Sequence, residues 1–376
     1  DQQLELGFRF TQNDQITDYK FFNEDPDGDF IVNDSLTNVF RYNEKVTAVY
    51  GQYGNKFGEA FSMLLGLRME ASDIDVRAVG KDLDSINDKY YINYFPTANL
   101  VYEFSKDKNI SLGYNSRIRR PRSRFINPFP SQSSRTNIFQ GNPDLDPAFA
   151  NAFDLGYLKR WNVLTLTSSV YYQRETGSFQ RVQEATGITT PDGIEIIRTI
   201  PINLSTNQRI GAEAGILYNP TRWLRINSSF NFFRFVTEGE FNDVDYGAEN
   251  NSWFARFSSK VTLPGKIDWQ TNMFYRGPSN NAQTEFKGIF SMNLAFSKDI
   301  MNDNGTILLN VQDVFNSRKR QSFTETDFFT SDSEFQWRVR SIRLSFLYRF
   351  NQAKQRNGRG RGGQDYEDEG EFGGSS

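Results

Sequence analysis

From Ser341 to Phe350 apolar and polar residues alternate, with Ile342, Leu344, Phe346, Tyr348 and Phe350 at even positions and Arg343, Ser345 and Arg349 between them. Successive side chains of an extended strand point to opposite faces, so this spacing predicts a strand with one greasy and one wet face. A soluble antiparallel sheet shows the same alternation when its apolar face meets a core. The distinction rests on how often the pattern returns and on what lies between the copies.

It returns along the whole chain, in about fourteen segments of roughly ten residues or somewhat more. Leu4, Leu6, Phe8 and Phe10 open it, a segment around Val46 to Tyr50 follows, and Phe61, Met63, Leu65, Leu67 and Met69 form the third. Later copies include Leu100 to Phe104, Ile110 to Tyr114, Phe153 to Tyr157, Leu164 to Tyr172, Ile210 to Tyr218 and Leu224 to Phe232. Trp253 to Leu263, Ile267 to Tyr275, Phe290 to Phe296 and Ile307 to Val311 precede the final strand. Around Thr47 to Tyr53 both faces are mixed, and in the last segment Phe335, Trp337 and Val339 are odd-numbered, which predicts a bulge near Arg340 or an upper part standing clear of the membrane.

The connections alternate between short and long. Gly54-Asn55-Lys56, Ser105 to Asn109, Lys159-Arg160, Asn219 to Arg222, Leu263 to Lys266 and Lys298 to Gly305 carry turn chemistry. Between them the expected long loops are residues 11–40, 71–91, 121–147, 175–205, 237–251, 277–284 and 317–334. Short turns on one side and long loops on the other are the habit of membrane barrels. Trp161, Trp223 and Trp269 sit near short turns, and Trp253 and Trp337 where a strand leaves a long loop, as an interface girdle requires. These patterns predict an all-β protein, an antiparallel transmembrane β-barrel over residues 1–350 with periplasmic turns and extracellular loops.

Composition narrows the chemistry. The 376 residues carry a formal charge of −3 and contain no cysteine and no histidine. Disulfides, thiol nucleophiles, the usual zinc sites and imidazole acid–base schemes are therefore excluded, and no catalytic residue, metal site or cofactor is expected. No apolar run is long enough for a membrane helix, which leaves a closed barrel as the way into a bilayer. Asp25-Pro26-Asp27-Gly28-Asp29 lacks the distal Glu of a calcium loop and reads as a turn. The chain opens directly on a strand pattern, so its first residue is expected to be a cut. Residues 351–376, basic with Gly-Arg repeats and then acidic, are expected to be a disordered periplasmic tail that binds no nucleic acid.

The most distinctive stretch is Arg117-Ile118-Arg119-Arg120-Pro121-Arg122-Ser123-Arg124-Phe125-Ile126-Asn127-Pro128-Phe129, followed by Gly141-Asn142-Pro143-Asp144-Leu145-Asp146-Pro147. The Arg-x-x-Arg-Pro strand end, the Asn-Pro-Phe loop and the Gly-Asn-Pro-x-Leu-x-Pro strand entry resemble the outer-membrane β-barrel family of Bacteroidetes TonB-dependent receptors. The resemblance implies a barrel of about twenty-two strands around an N-terminal plug, as in outer-membrane transporters. It further implies energy from the TonB complex and import of a scarce siderophore, oligosaccharide, peptide or vitamin. The plug is missing from this chain, which would then be the C-terminal portion of such a receptor, with outer-membrane lipid as its surroundings.

Two uses of the arginines stay open. Arg117, Arg119, Arg120, Arg122 and Arg124, with Asn127, Phe129 and Asn142, could contact a ligand or the plug at the upper lumen. Alternatively Arg120 and its neighbours pair with loop carboxylates such as Asp144 and Asp146 and hold a folded loop in place. Two other functions also remain: a passive channel of fourteen strands, and a soluble cell-surface protein that binds glycans.

Overall fold

The computed structural model describes residues 2–81, 83–131, 134–326 and 329–350; the expected tail at 351–376 lies outside the described residues. One large sheet takes its principal strands in chain order. They are β1 (Gln2–Tyr19), β2 (Asn38–Phe57), β3 (Phe61–Gly80), β4 (Asp84–Ser105), β5 (Lys108–Arg119), β6 (Ala148–Arg160) and β7 (Leu164–Thr189). Next come β8 (Glu195–Thr221), β9 (Leu224–Glu238), β10 (Ala248–Leu263), β11 (Ile267–Arg276), β12 (Ile289–Ile300), β13 (Gly305–Gln312) and β14 (Ser341–Tyr348). A short strand, Asn137–Phe139, joins β8 in parallel. Each segment of alternating sequence overlaps one of these strands. Two compact units divide the chain, one of residues 1–157, 169–211 and 235–249, the other of 158–168, 212–234 and 250–376.

In the first unit β1 to β5 form antiparallel neighbours with settled register. Phe8 lies opposite Val49, Val49 opposite Met69, and Met69 opposite Tyr94. Leu4, Leu6, Phe8, Phe10, Val49, Leu65, Leu67 and Tyr94 on this face are all exposed. The opposite face carries Glu5, Arg9, Gln52, Arg68 and Glu70 in the same rows. Higher up, the two faces exchange character. Beyond Ala71 the outward positions of β3 become Asp73, Asp75 and Arg77, while the inward ones become Ile74, Val76 and Ala78, which are buried with Phe40, Tyr42 and Ile126.

That exchange corrects several expected loops. Residues 71–91 are a hairpin in which β3 runs to Gly80 and β4 starts at Asp84, and residues 11–40 and 175–205 are likewise largely strand. The short turn expected at Gly54 to Lys56 lies instead between Phe57 and Phe61, where Gly58 takes φ 64°. The Asp25 to Asp29 stretch is the turn foreseen: Asp25 Oδ1 accepts the backbone N–H of Asp27 at 3.0 Å and of Asp29 at 2.8 Å.

In the second unit β10 to β14 are antiparallel. Val261, Trp269, Phe296, Leu309 and Leu344 make one continuous row across five strands, and Phe257, Met273 and Met292 another. The reverse face presents Ser258, Asn272 and Asn293 in one row and Asn310 and Arg343 in another. A separate four-stranded sheet joins Ser279–Asn280, Thr284–Phe286, Arg320–Glu325 and Thr330–Phe335, so the segments expected as loops at 277–284 and 317–334 contain paired strands. The phase change in the last segment has the same origin. Phe335 ends that small sheet and β14 starts afresh at Ser341.

Candidate functional site

The wet face of the second unit is hollowed into a concavity of about 370 Å³. Asn227 and Ser229 of β9, Arg256 and Ser258 of β10, Asn272 and Phe274 of β11, and Ser291 and Asn293 of β12 line it. Amides and hydroxyls dominate because these are the inward positions of strands whose alternate residues are apolar. Such a wall can donate and accept hydrogen bonds without a fixed charge pattern. Arg256 is its cation, with its guanidinium 5.7 Å from the Phe254 ring and 5.8 Å from that of Phe274.

In the first unit, the segment from Arg120 to Pro147 is bound onto the inward face of β2, β3 and β4. A single turn of helix, Ser123–Ile126, turns Ile126 into the apolar cluster of Phe40, Tyr42, Ile74, Val76 and Ala78, and Phe129 packs against it. Burying two such side chains contributes roughly 1.5 to 3 kcal/mol each. Asn127 Oδ1 accepts the Phe129 N–H at 3.0 Å, and Asn142 Oδ1 that of Asp144 at 3.0 Å, so each asparagine closes a turn. The Gly141 N–H donates to the Asn127 carbonyl at 2.8 Å, and that of Asn142 to the Phe125 carbonyl at 2.6 Å. A Cβ on Gly141 would stand 2.4 Å from the Asn127 carbonyl oxygen, so only glycine permits the approach.

Strand side chains hold the other end of the loop. Lys89 spends its three donors on the Asp144 carbonyl at 3.0 Å, the Leu145 carbonyl at 2.7 Å and Asp146 Oδ1 at 2.9 Å. Asn203 brackets Asp146, accepting its N–H at 2.9 Å and donating to its carbonyl at 2.9 Å, while Asn87 donates to the Pro143 carbonyl at 3.0 Å.

The arginines separate into distinct roles. Arg120 donates to Glu70 at 2.5 Å and to Ser72 Oγ at 2.6 Å, and Glu44 lies 3.5 Å away. Its carboxylates thus come from the strands, and the expected partners Asp144 and Asp146 are not the ones it meets. Asp146 serves Lys89 instead, because the loop enters with Arg120 directly over Glu70. Burial opposes the Arg120 charge, but the Glu70 hydrogen bond outweighs it and, with the neighbouring anions, holds the guanidinium above the ordinary arginine range. Arg119 pairs with Glu175 at 2.5 Å and covers the Phe179 ring at 4.8 Å. Arg124 is exposed yet lies 4.7 Å over Phe139, whereas Arg117 and Arg122 point to solvent.

The structure thus brings Arg119, Arg120, Asn127, Phe129 and Asn142 together as loop architecture. Glu44, Glu70, Lys89, Asn203 and Arg256 were not singled out by sequence reasoning. Their only sequence signal is a polar residue on the wet phase of a strand, which dozens of positions share. Trp161 and Trp223 occupy short turns, and Trp269 follows one by two residues. Trp253 stacks on Tyr275 at 4.4 Å in upper β10, and Trp337 meets Phe335 edge-on at 4.4 Å above β14.

Among the described residues no helix is long and apolar enough to cross a membrane, which leaves strands untouched by the statement. A family model described as the outer membrane protein beta-barrel family matches residues 1–348. No curated protein matches the chain. Among solved structures, it is similar to the copper transporter OprC, with 12% identity, 93% of this chain and 55% of that chain covered, and a TM-score of 0.66. The siderophore receptor PiuA from Acinetobacter baumannii gives 13%, 91%, 53% and 0.62 for the same quantities. The ferric yersiniabactin uptake receptor FyuA from Yersinia pestis gives 9%, 91%, 51% and 0.61. The chain spans about half the length of the structures it matches. At these identities the likeness shows a common fold.

Proposed function

Because the chain belongs to the outer membrane protein beta-barrel family, we propose that it is the C-terminal portion of a TonB-dependent outer-membrane receptor that imports a scarce nutrient. Its strands would be fourteen of about twenty-two, closed around a plug supplied by another part of the protein. The observation that carries this reading is the sorting of faces within each unit, an exposed apolar face against a charged and polar one in the first and an apolar face against a hollowed polar wall in the second. Hydrocarbon outside and water within give a sheet that pattern.

Several features support the finer points. The similar structures are those of a copper transporter, a siderophore receptor and a ferric yersiniabactin uptake receptor, which favours a metal chelate or compound of similar size as the ligand. Among the described residues β1 and β14 each have one bonded neighbour in the strand order, and an unpaired edge is costly in lipid, which favours further strands over a passive fourteen-stranded channel. The Arg-Pro, Asn-Pro-Phe and Gly-Asn-Pro motifs favour the branch found in Bacteroidetes. The five tryptophans would mark the two interfaces, and the exposed Arg117, Arg122 and Arg124 would face the ligand or the plug.

Fractionation of the complete protein tests the core of this proposal. It should co-purify with outer membranes, require detergent, and migrate differently on a denaturing gel before and after boiling. Nutrient-limited growth that depends on the protein should vanish in cells lacking TonB. A water-soluble protein whose mobility boiling leaves unchanged would refute the barrel, and TonB-independent uptake would favour the passive channel.

A further inference from the structure

We infer that the concave wall of the second unit contains an oxyanion site centred on Arg256, suited to a small hydroxylated solute carrying a carboxylate or a phosphate. The inference rests on the importer reading, which makes this wall the surface of an aqueous interior.

Several inward cations of this chain are held by carboxylates. Arg68 and Arg120 both reach Glu70 at 2.5 Å, and Lys260, two inward positions from Arg256 on β10, meets Asp268 at 2.8 Å. Arg256 has no such partner among the described residues. The concavity it enters is lined by four polar amide or hydroxyl strands and contains no carboxylate among its lining residues. Among the described residues Arg256 has no ion pair; its guanidinium lies over the rings of Phe254 and Phe274. Flanking rings restrict a planar guanidinium and leave its fork free for a planar or tetrahedral oxyanion.

The surroundings fit the remainder of such a solute. Asn272 and Asn293 face each other across β11 and β12, and Ser258 stands opposite Asn272 on the other side. Asn227, Ser229 and Ser291 complete the rim. These groups recognise hydroxyls, being both donors and acceptors. The field favours an anion as well, because Arg225 and Arg343 lie on the wet phase of β9 and β14 and neither is ion-paired among the described residues.

The test uses the complete protein in detergent, titrated calorimetrically with glucose 6-phosphate, glucuronate and glucose at low and physiological salt. Both anions should bind saturably, more weakly as salt rises, with glucose well below them. Arg256→Gln should weaken anion binding about tenfold to a hundredfold, the range of a hydrogen-bonded charge. Arg256→Lys should retain part of it, and Arg222→Gln, in a short turn, should change nothing. The stronger of the two anions identifies phosphate or carboxylate as the preferred group. Equal binding by Arg256→Gln and the parent, or by glucose and the anions, overturns the site. So does an absence of binding in a protein that still shows boiling-dependent mobility, the outcome expected if a carboxylate elsewhere in the receptor already occupies Arg256. Loss of that mobility in the parent protein would instead remove the barrel reading beneath it.

Discussion

Arg120, just past the end of β5, is hydrogen-bonded to Glu70 near the middle of β3, with Nη2 2.5 Å from Oε2. Glu70 is 7% exposed and also takes Arg68, and Glu44 lies on the other side of the same guanidinium. Arg120 therefore holds two carboxylates apart from one another's charge, and it does so at the point where the loop joins the sheet. Replacing it with Met leaves Glu70 to Arg68 and Glu44 without its cation, at a cost of about 1 to 3 kcal/mol. Adding Glu44→Gln, which removes the carboxylate left without a cation, should recover most of the loss. Urea unfolding of the detergent-folded protein measures both, and a single variant as stable as the parent would show the pair to be idle.

Gly141 sits where two backbone segments touch. Alanine there would place its Cβ 2.4 Å from the Asn127 carbonyl oxygen and 2.7 Å from its nitrogen, and neither can yield cheaply. The expected cost is about 1 to 3 kcal/mol, concentrated in the loop. Limited trypsin digestion should then cut faster at Arg122 and Arg124, with the rest of the barrel resisting as before.

Opposite faces of neighbouring strands should respond differently to the same charge. Leu294 lies on the apolar row opposite Thr271 and Val311, and Gln270 on the wet face opposite Lys260 and Ala295. Arginine at Leu294 should cost about 2 to 4 kcal/mol near the membrane midplane, and at Gln270 about 0 to 1 kcal/mol. Folding titrations into lipid vesicles compare the two directly. Equal penalties would mean that this part of the sheet does not meet hydrocarbon.

The small sheet of the second unit has a pH-sensitive edge. Hydrogen bonds from Lys319 and from Gln321 hold the Glu334 carboxyl below its ordinary range. A depressed folded pKa contributes stability that is present above the unfolded value of about 4.3 and is lost as pH falls through the folded one. Amide hydrogen exchange along Thr330–Phe335 should accordingly show easier opening in acid, once the intrinsic pH dependence of exchange is removed. Glu334→Gln should flatten that response.

Strand existence was legible from residue order because a membrane strand needs an apolar side chain at every second position. Leu65, Leu67 and Met69 announce that requirement without any knowledge of their neighbours. Phase was the limit of that legibility. At Ala71 and Ser72 the outward face leaves the apolar belt while the inward face gains a cover, so the alternation inverts and β3 reads as though it had ended. The cover is the segment around Ile126 and Phe129, some fifty residues on, and nothing local to Ile74 or Val76 shows that they will be buried.

Residue order by itself determined the family of architecture, the short turns near Trp161, Trp223 and Gly265, and the motifs of the Arg120 to Pro147 stretch. Those features are local, set by the two-residue period of a strand and by the backbone needs of glycine and proline. Tertiary structure alone decided that Arg120 serves Glu70, that Asp146 serves Lys89, and that Arg256 stands without an acid among the described residues. Ion pairing depends on which side chains the sheet register brings within a few ångströms, and a chain with dozens of acids and bases does not record that choice in their order.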